Sequence, residues 1–396
     1  MLDLIKVSFI FALILVLLRK KLNIGIVMSI AASALFIFYQ MSPASILKTC
    51  RVAVLNDVTL KLVFALSFIR MFELILREHN VLTEMMGTVK AVLKNRKLVT
   101  VSMPLLIGLI PSVGGAYFSA PMVAEATHDI RMSPEEKGFV NYWFRHPWEY
   151  ILPLYPGILL AAAISGVELH NLITANLSYA ILTLITGFFF AMHGLKGPVI
   201  SGGRLSAKGL LSFTPIFTVV VLVLLVHVEL HYALISVVFF LFFFYRYNFK
   251  SMLAAFRHGF ALDVIILILG VMFFKEAMEN SGAVKNLSRF FIEEGIPASP
   301  VLFLLPFITG LITGLTLGFV GSTFPLIIHI AGNTSIGAIS FAFAAGFLGV
   351  LLSPVHICLV LTREYFKADL WGMYKMMLPG CVIIFGVAVI QYWLLR

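Results

Sequence analysis

The chain has 396 residues, of which 60% are hydrophobic and 12% charged, with a formal net charge of +10. That balance excludes an ordinary soluble domain and reads as an integral membrane protein. The three cysteines, Cys50, Cys358 and Cys381, are scattered and odd in number, so they predict neither a disulfide framework nor a metal cluster. The positive charge falls mostly in loops and calls for no nucleic-acid partner.

The first apolar run, about 4–18, is followed by Arg19, Lys20 and Lys21 with no small-residue cleavage site, so it reads as a retained helix rather than a signal peptide. Further runs of spanning length fall at 23–40, 55–77, 138–165, 172–192, 211–226, 230–245, 259–279, 336–362 and 370–394, giving ten expected spans. Two other segments, 98–127 and 300–329, are apolar but interrupted by glycine, proline and hydroxyl residues. An arm of roughly 13 residues is about 20 Å long, short of a hydrocarbon core of about 30 Å. Each segment is therefore expected to enter, turn at mid-depth and leave on the same side. With these two hairpins, one face collects most loop cations, while the other holds only Lys6, Lys48, Arg51, Lys285, Arg289 and Arg396. The first face is then cytoplasmic, which implies a multi-pass protein of the cell membrane with both termini outside.

Spacing also predicts an internal repeat. Arg51, Asp57 and Glu73 recur as Arg257, Asp263 and Glu279, each 206 positions later, and Pro104 and Gly108 recur as Pro306 and Gly310 at 202. Five spans and one hairpin per half would invert the second copy. The expected fold is thus all-α and polytopic: a first repeat over 1–192 with an inward-opening hairpin, a cytoplasmic linker over 193–209, and a second repeat over 210–396 with an outward-opening hairpin.

A non-helical turn inside a bilayer must satisfy its backbone against protein, water or ligand, so the hairpin turns are candidate sites. In the first, the turn runs from Pro111 through Ser112, Gly114 and Gly115; in the second, through Gly318, Gly321, Ser322 and Thr323. The helix after each turn would present free N–H groups to an anion. Between Asn141 and Pro156, three prolines in ten positions break any helix, and Arg145, His146 and Glu149 lie at the break. Arg145 has two readings: an ion pair with Glu149 that fastens the bundle, or a clamp for a substrate carboxylate with His146 or Glu149 exchanging a proton. The matching stretch in the second half offers Ser353 and His356, so the two half-sites are asymmetric. Elsewhere, Asp57 and Asp263 read as helix caps. Lys61, Arg70, Glu73, Lys275, Glu276 and Glu279 read as charges near span ends that snorkel to water, with a proton relay as the alternative.

Three stretches, GLIPSVGGAYFSAPM, NYWFRHPWEYILPLYP and GLTLGFVGSTFPLI, resemble the ion transporter superfamily of gluconate, citrate, dicarboxylate and arsenite permeases. Within it, the chain is similar to an uncharacterised bacterial and archaeal family. The resemblance implies substrate- and ion-holding tips at Ser112 to Gly115 and Gly321 to Thr323. Sodium-coupled relatives carry asparagine in these tips; here it is missing, which favours H+ over Na+ as the coupling ion, through His146 or Glu149. Many such proteins dimerise, so a homodimer is a further expectation. The expected function is a secondary active permease for a small anion, an organic carboxylate first, with no cofactor and no enzymatic activity. An anion channel and an intramembrane enzyme using His146 and Glu149 are the alternatives.

Overall fold

The computed structural model describes residues 2–93, 95–111, 115–191, 205–295, 297–330 and 335–395. Among them are 22 helices, and the architecture is all-α. The exterior is apolar: Phe243 is 81% exposed, Phe217 68% and Val382 65%, and these side chains suit lipid rather than water. Four helical segments, Pro134–Ser165, Leu169–Phe190, Ala207–Leu224 and Leu370–Leu394, are long and apolar enough to cross a membrane. A fifth is reached if Pro43–Leu55 and Asp57–Glu78, bent by 44° at their junction, count as one span.

The ten expected spans are therefore met only in part, for reasons of length and continuity. Ile24–Phe38 and Leu230–Phe244 have 15 residues each. At 1.5 Å per residue such a helix is about 22 Å long. The expected span 336–362 is two helices, Ile336–Leu351 and Ile357–Phe366, parted at Pro354. The interrupted segments are helix pairs packed on each other: Arg96–Gly108 with Gly115–Ala126, and Ala298–Thr313 with Thr316–Ile330. Arg96 closes the base of the first pair on Asp129 at 2.6 Å.

The second turn differs from expectation. It lies at Gly314 and Leu315, where Gly314 takes the left-handed conformation at φ +62°, which glycine alone adopts without strain. Gly318, Gly321, Ser322 and Thr323 sit inside the next helix. There the Ser322 and Thr323 hydroxyls donate to Gly318 and Phe319 carbonyls of their own helix. The expected linker lies mostly outside the described residues. The predicted caps are also corrected. Asn56, not Asp57, caps its helix, and Asp57 pairs with Lys61 at 3.0 Å; Asp263 accepts from Arg70 at 2.8 Å. Lys61 also reaches Glu229 at 2.9 Å, and Lys275 reaches Glu279 at 2.9 Å.

Ile336–Leu351 runs through the centre of the protein, buried from Gly337 to Leu351. The carbonyls at its C-terminal end have no helical partners. Tyr142 donates to Leu351 O at 2.9 Å and Tyr374 donates to Leu352 O at 2.8 Å.

Candidate functional site

Helix Pro134–Trp143 starts with strong local signals: Ser133 and Glu136 form a capping box and Pro134 is its first residue. It stops because Pro147 has no N–H to continue the ladder, and the chain tightens so that Arg145 and His146 bond three residues back, to the Tyr142 and Trp143 carbonyls. One helical turn follows, Trp148–Ile151. Leu152 and Tyr155, each preceding a proline, are extended with ψ 123° and 121°. This interrupted stretch is tied to the first helix pair. Trp148 Nε1 donates to Leu105 O at 2.8 Å and the Tyr155 hydroxyl donates to Gly108 O at 2.6 Å. At Gly108 any Cβ would strike the Arg145 carbonyl, so glycine is what allows this approach.

The counterpart break, at 352–356, comes to the same place. Arg145, His146, Ser353 and His356 are all buried, and Glu149 keeps only 14% of its side chain exposed. The Glu149 carboxylate accepts from the Thr316 hydroxyl at 2.8 Å and lies 3.8 Å from His146 Nε2. His146 and His356 meet through their Nε2 atoms at 3.1 Å. Cys358 interacts with both imidazoles and with Arg145. A pocket of about 230 Å³ opens here, lined by Pro111, Arg145, Glu149, Tyr155, Gly314, Thr316, His356 and Cys358 among others. Ile24, Pro111, Pro156 and Leu317 also line a neighbouring cavity of about 260 Å³ that holds Arg70, Glu73 and Asp263. Leu315 and Ile357 also line another of about 840 Å³.

Of the residues singled out in the sequence, Arg145, His146, Glu149 and His356 come together. Ser353 sits behind His356, its hydroxyl accepting from Val355 N at 3.3 Å. Gly318 lines the 840 Å³ cavity, whereas Gly321 packs on Val271 and, with Ser322 and Thr323, does not line the Arg145 pocket. Gly115 is buried at the start of its helix; Ser112 and Gly114 lie outside the described residues. Sequence reasoning missed Tyr155, Gly314, Thr316 and Cys358. The available signal was the His356, Ile357, Cys358 run directly after a proline break. It also missed Asn141, a junction of three helices that accepts from Ser119 at 2.6 Å and donates to Ala116 O at 3.0 Å and Thr362 at 2.9 Å.

A family profile described as protein of unknown function, DUF401, matches residues 4–395. The chain belongs to this family. The DUF401 match covers nearly the whole chain, so both interrupted stretches and the pocket between them lie within the family's common region. Comparison with curated proteins finds no match.

Proposed function

We propose that this DUF401 protein is a secondary carrier of a small anion, an organic carboxylate first, that exposes the Arg145 pocket to each side of the membrane in turn. The observation supporting this reading is the convergence of two interrupted stretches, 144–155 and 352–356, and the Gly314 turn on one pocket containing a buried arginine. Broken helices at membrane depth are tolerated where they line a cavity, and paired breaks are the usual marker of a carrier's binding site. The guanidinium offers a fork of donors suited to a carboxylate. A volume of about 230 Å³ is small beside drug-sized pockets of about 300–1,000 Å³, which favours a ligand of few atoms.

Ten crossings, inverted repeats and re-entrant hairpins belong to this proposal, as do a cytoplasmic-membrane location with both termini outside and kinship to the ion transporter superfamily. The cavities beside the pocket supply the two approaches, and Ile24, Leu315, Leu317 and Ile357, which line more than one cavity, are the side chains that part to open them.

The test is uptake of labelled small carboxylates into proteoliposomes under imposed proton or sodium gradients. Concentrative uptake that Arg145→Ala abolishes supports the carrier. Downhill flux alone would point to a channel, and no flux of any organic or inorganic anion under either gradient would overturn the reading.

A further inference from the structure

The two histidines at the pocket are held in one tautomer. His146 Nδ1 lies 2.6 Å from the Tyr142 carbonyl, and His356 Nδ1 lies 2.6 Å from the Gly314 carbonyl. A carbonyl oxygen only accepts, so each Nδ1 carries the hydrogen, which leaves each neutral ring a bare lone pair on Nε2. Those two bare nitrogens lie 3.1 Å apart. They repel unless a positive centre lies between them, and a Cys358 S–H can serve only one of the two. Cys358 Sγ closes the triangle: the three ligand atoms lie within 4.8 Å of one another, and all three residues are buried.

We infer that His146, His356 and Cys358 form a binding site for a borderline-soft divalent cation of the zinc class, with Glu149 as the fourth ligand. Two imidazoles and a thiolate are the donor set such cations prefer over the oxygen-seeking Mg2+ and Ca2+. Ring nitrogens bound to metal characteristically have the opposite N–H on a backbone carbonyl or carboxylate, which is the arrangement of both rings here. Metal–nitrogen bonds of about 2.0–2.1 Å in a tetrahedron set two nitrogens about 3.3 Å apart, close to the observed separation. Glu149 Oε1, 3.8 Å from His146 Nε2, needs only a small side-chain movement to join them. On binding, the Cys358 thiol loses its proton to water, and the thiolate and the Glu149 carboxylate balance the divalent charge. Arg145 beside them then leaves one positive charge, which an anion in the pocket neutralises. The site ties the 144–147 break to the start of Ile357–Phe366, and it does not rest on the transport reading, because metal binding is measured without flux.

Purified protein, freed of affinity tag and stripped with a chelator, is titrated with Co2+. The expected result is one equivalent per chain, with the near-ultraviolet band of thiolate-to-cobalt charge transfer and the intense visible bands of tetrahedral cobalt, both erased by Zn2+. The Cys50→Ser/Cys381→Ser double variant, which keeps Cys358 as its sole thiol, retains the spectrum. Cys358→Ser loses the charge-transfer band, and His356→Gln weakens Co2+ binding at least tenfold. Absence of the charge-transfer band in the stripped wild type, or its loss in a monodisperse double variant, overturns the site and leaves a single proton shared between the rings. Because the double variant keeps every proposed ligand, misfolding of Cys358→Ser does not remove the test.

Discussion

Thr316 donates its hydroxyl to the Glu149 carboxylate at 2.8 Å, joining residues 167 positions apart on two different sides of the pocket. The methyl of the same Thr316 presses on Gly157. Thr316→Val keeps that packing and deletes only the donor. A hydrogen bond to a charged group contributes about 1.5–3 kcal/mol, so the variant should melt several degrees lower in detergent. Under the proposed carrier function it should also raise the KM of uptake. An unchanged melting temperature with unchanged KM would detach Glu149 from the pocket's architecture.

Gly108→Ala should be far more damaging than its one added methyl suggests, because the new Cβ meets the Arg145 carbonyl, which is backbone and cannot rotate aside. Overpacking of this kind costs about 1–3 kcal/mol. Thermal unfolding followed by tryptophan fluorescence checks it. Tyr155→Phe, which removes the hydroxyl bonded to Gly108 O, should also destabilise, but without moving Arg145.

Asn141→Leu should be among the most destabilising single changes. It removes the donor to the Thr362 hydroxyl and leaves the Ser119 hydroxyl only its longer bond to Ala116 O at 3.3 Å, in a buried setting where each group left unsatisfied costs about 1–3 kcal/mol. Yield of monodisperse protein measures it, with Asn141→Asp as the comparison that keeps an acceptor for Ser119.

The interrupted stretch at 144–155 was legible because proline acts locally: it denies a hydrogen bond and constrains its neighbour whatever the tertiary surroundings. What that stretch meets was not legible. His146 and Cys358 approach only through the packing of Pro134–Trp143 against Ile357–Phe366, and no local pattern announces a contact across more than 200 positions. Helix length was misjudged for a related reason, since a hydrophobic run records burial or lipid contact but not where the helix ends. At 318–323 the glycines and hydroxyls looked like one turn. Ser322 and Thr323 instead bond back to their own helix, a role side-chain polarity does not distinguish from a turn.

Asp129 should give the protein an acid-sensitive hinge at the base of the first helix pair. Its hydrogen bond from the Arg96 guanidinium holds the carboxyl below the usual carboxylate range. A depressed folded-state value means the stabilisation is fully present above the unfolded value, about 3.9, and is lost as pH falls through the lower folded value. Wild-type melting temperature should therefore drop as pH falls below about 3.9 by more than that of Asp129→Asn, with both converging at the acidic end. Parallel curves would show that the ion pair contributes nothing.

His146 and His356 are 210 residues apart in the chain. At a synthesis rate of about 5–20 residues per second, the ribosome needs on the order of 10–40 s to deliver the second imidazole after the first. Throughout that interval Arg145 and His146 exist without the segment that buries them. Insertion of the early helices must therefore proceed with a charged, polar kink still unsheltered, so nascent protein halted before residue 356 is the form on which a membrane chaperone or protease would act.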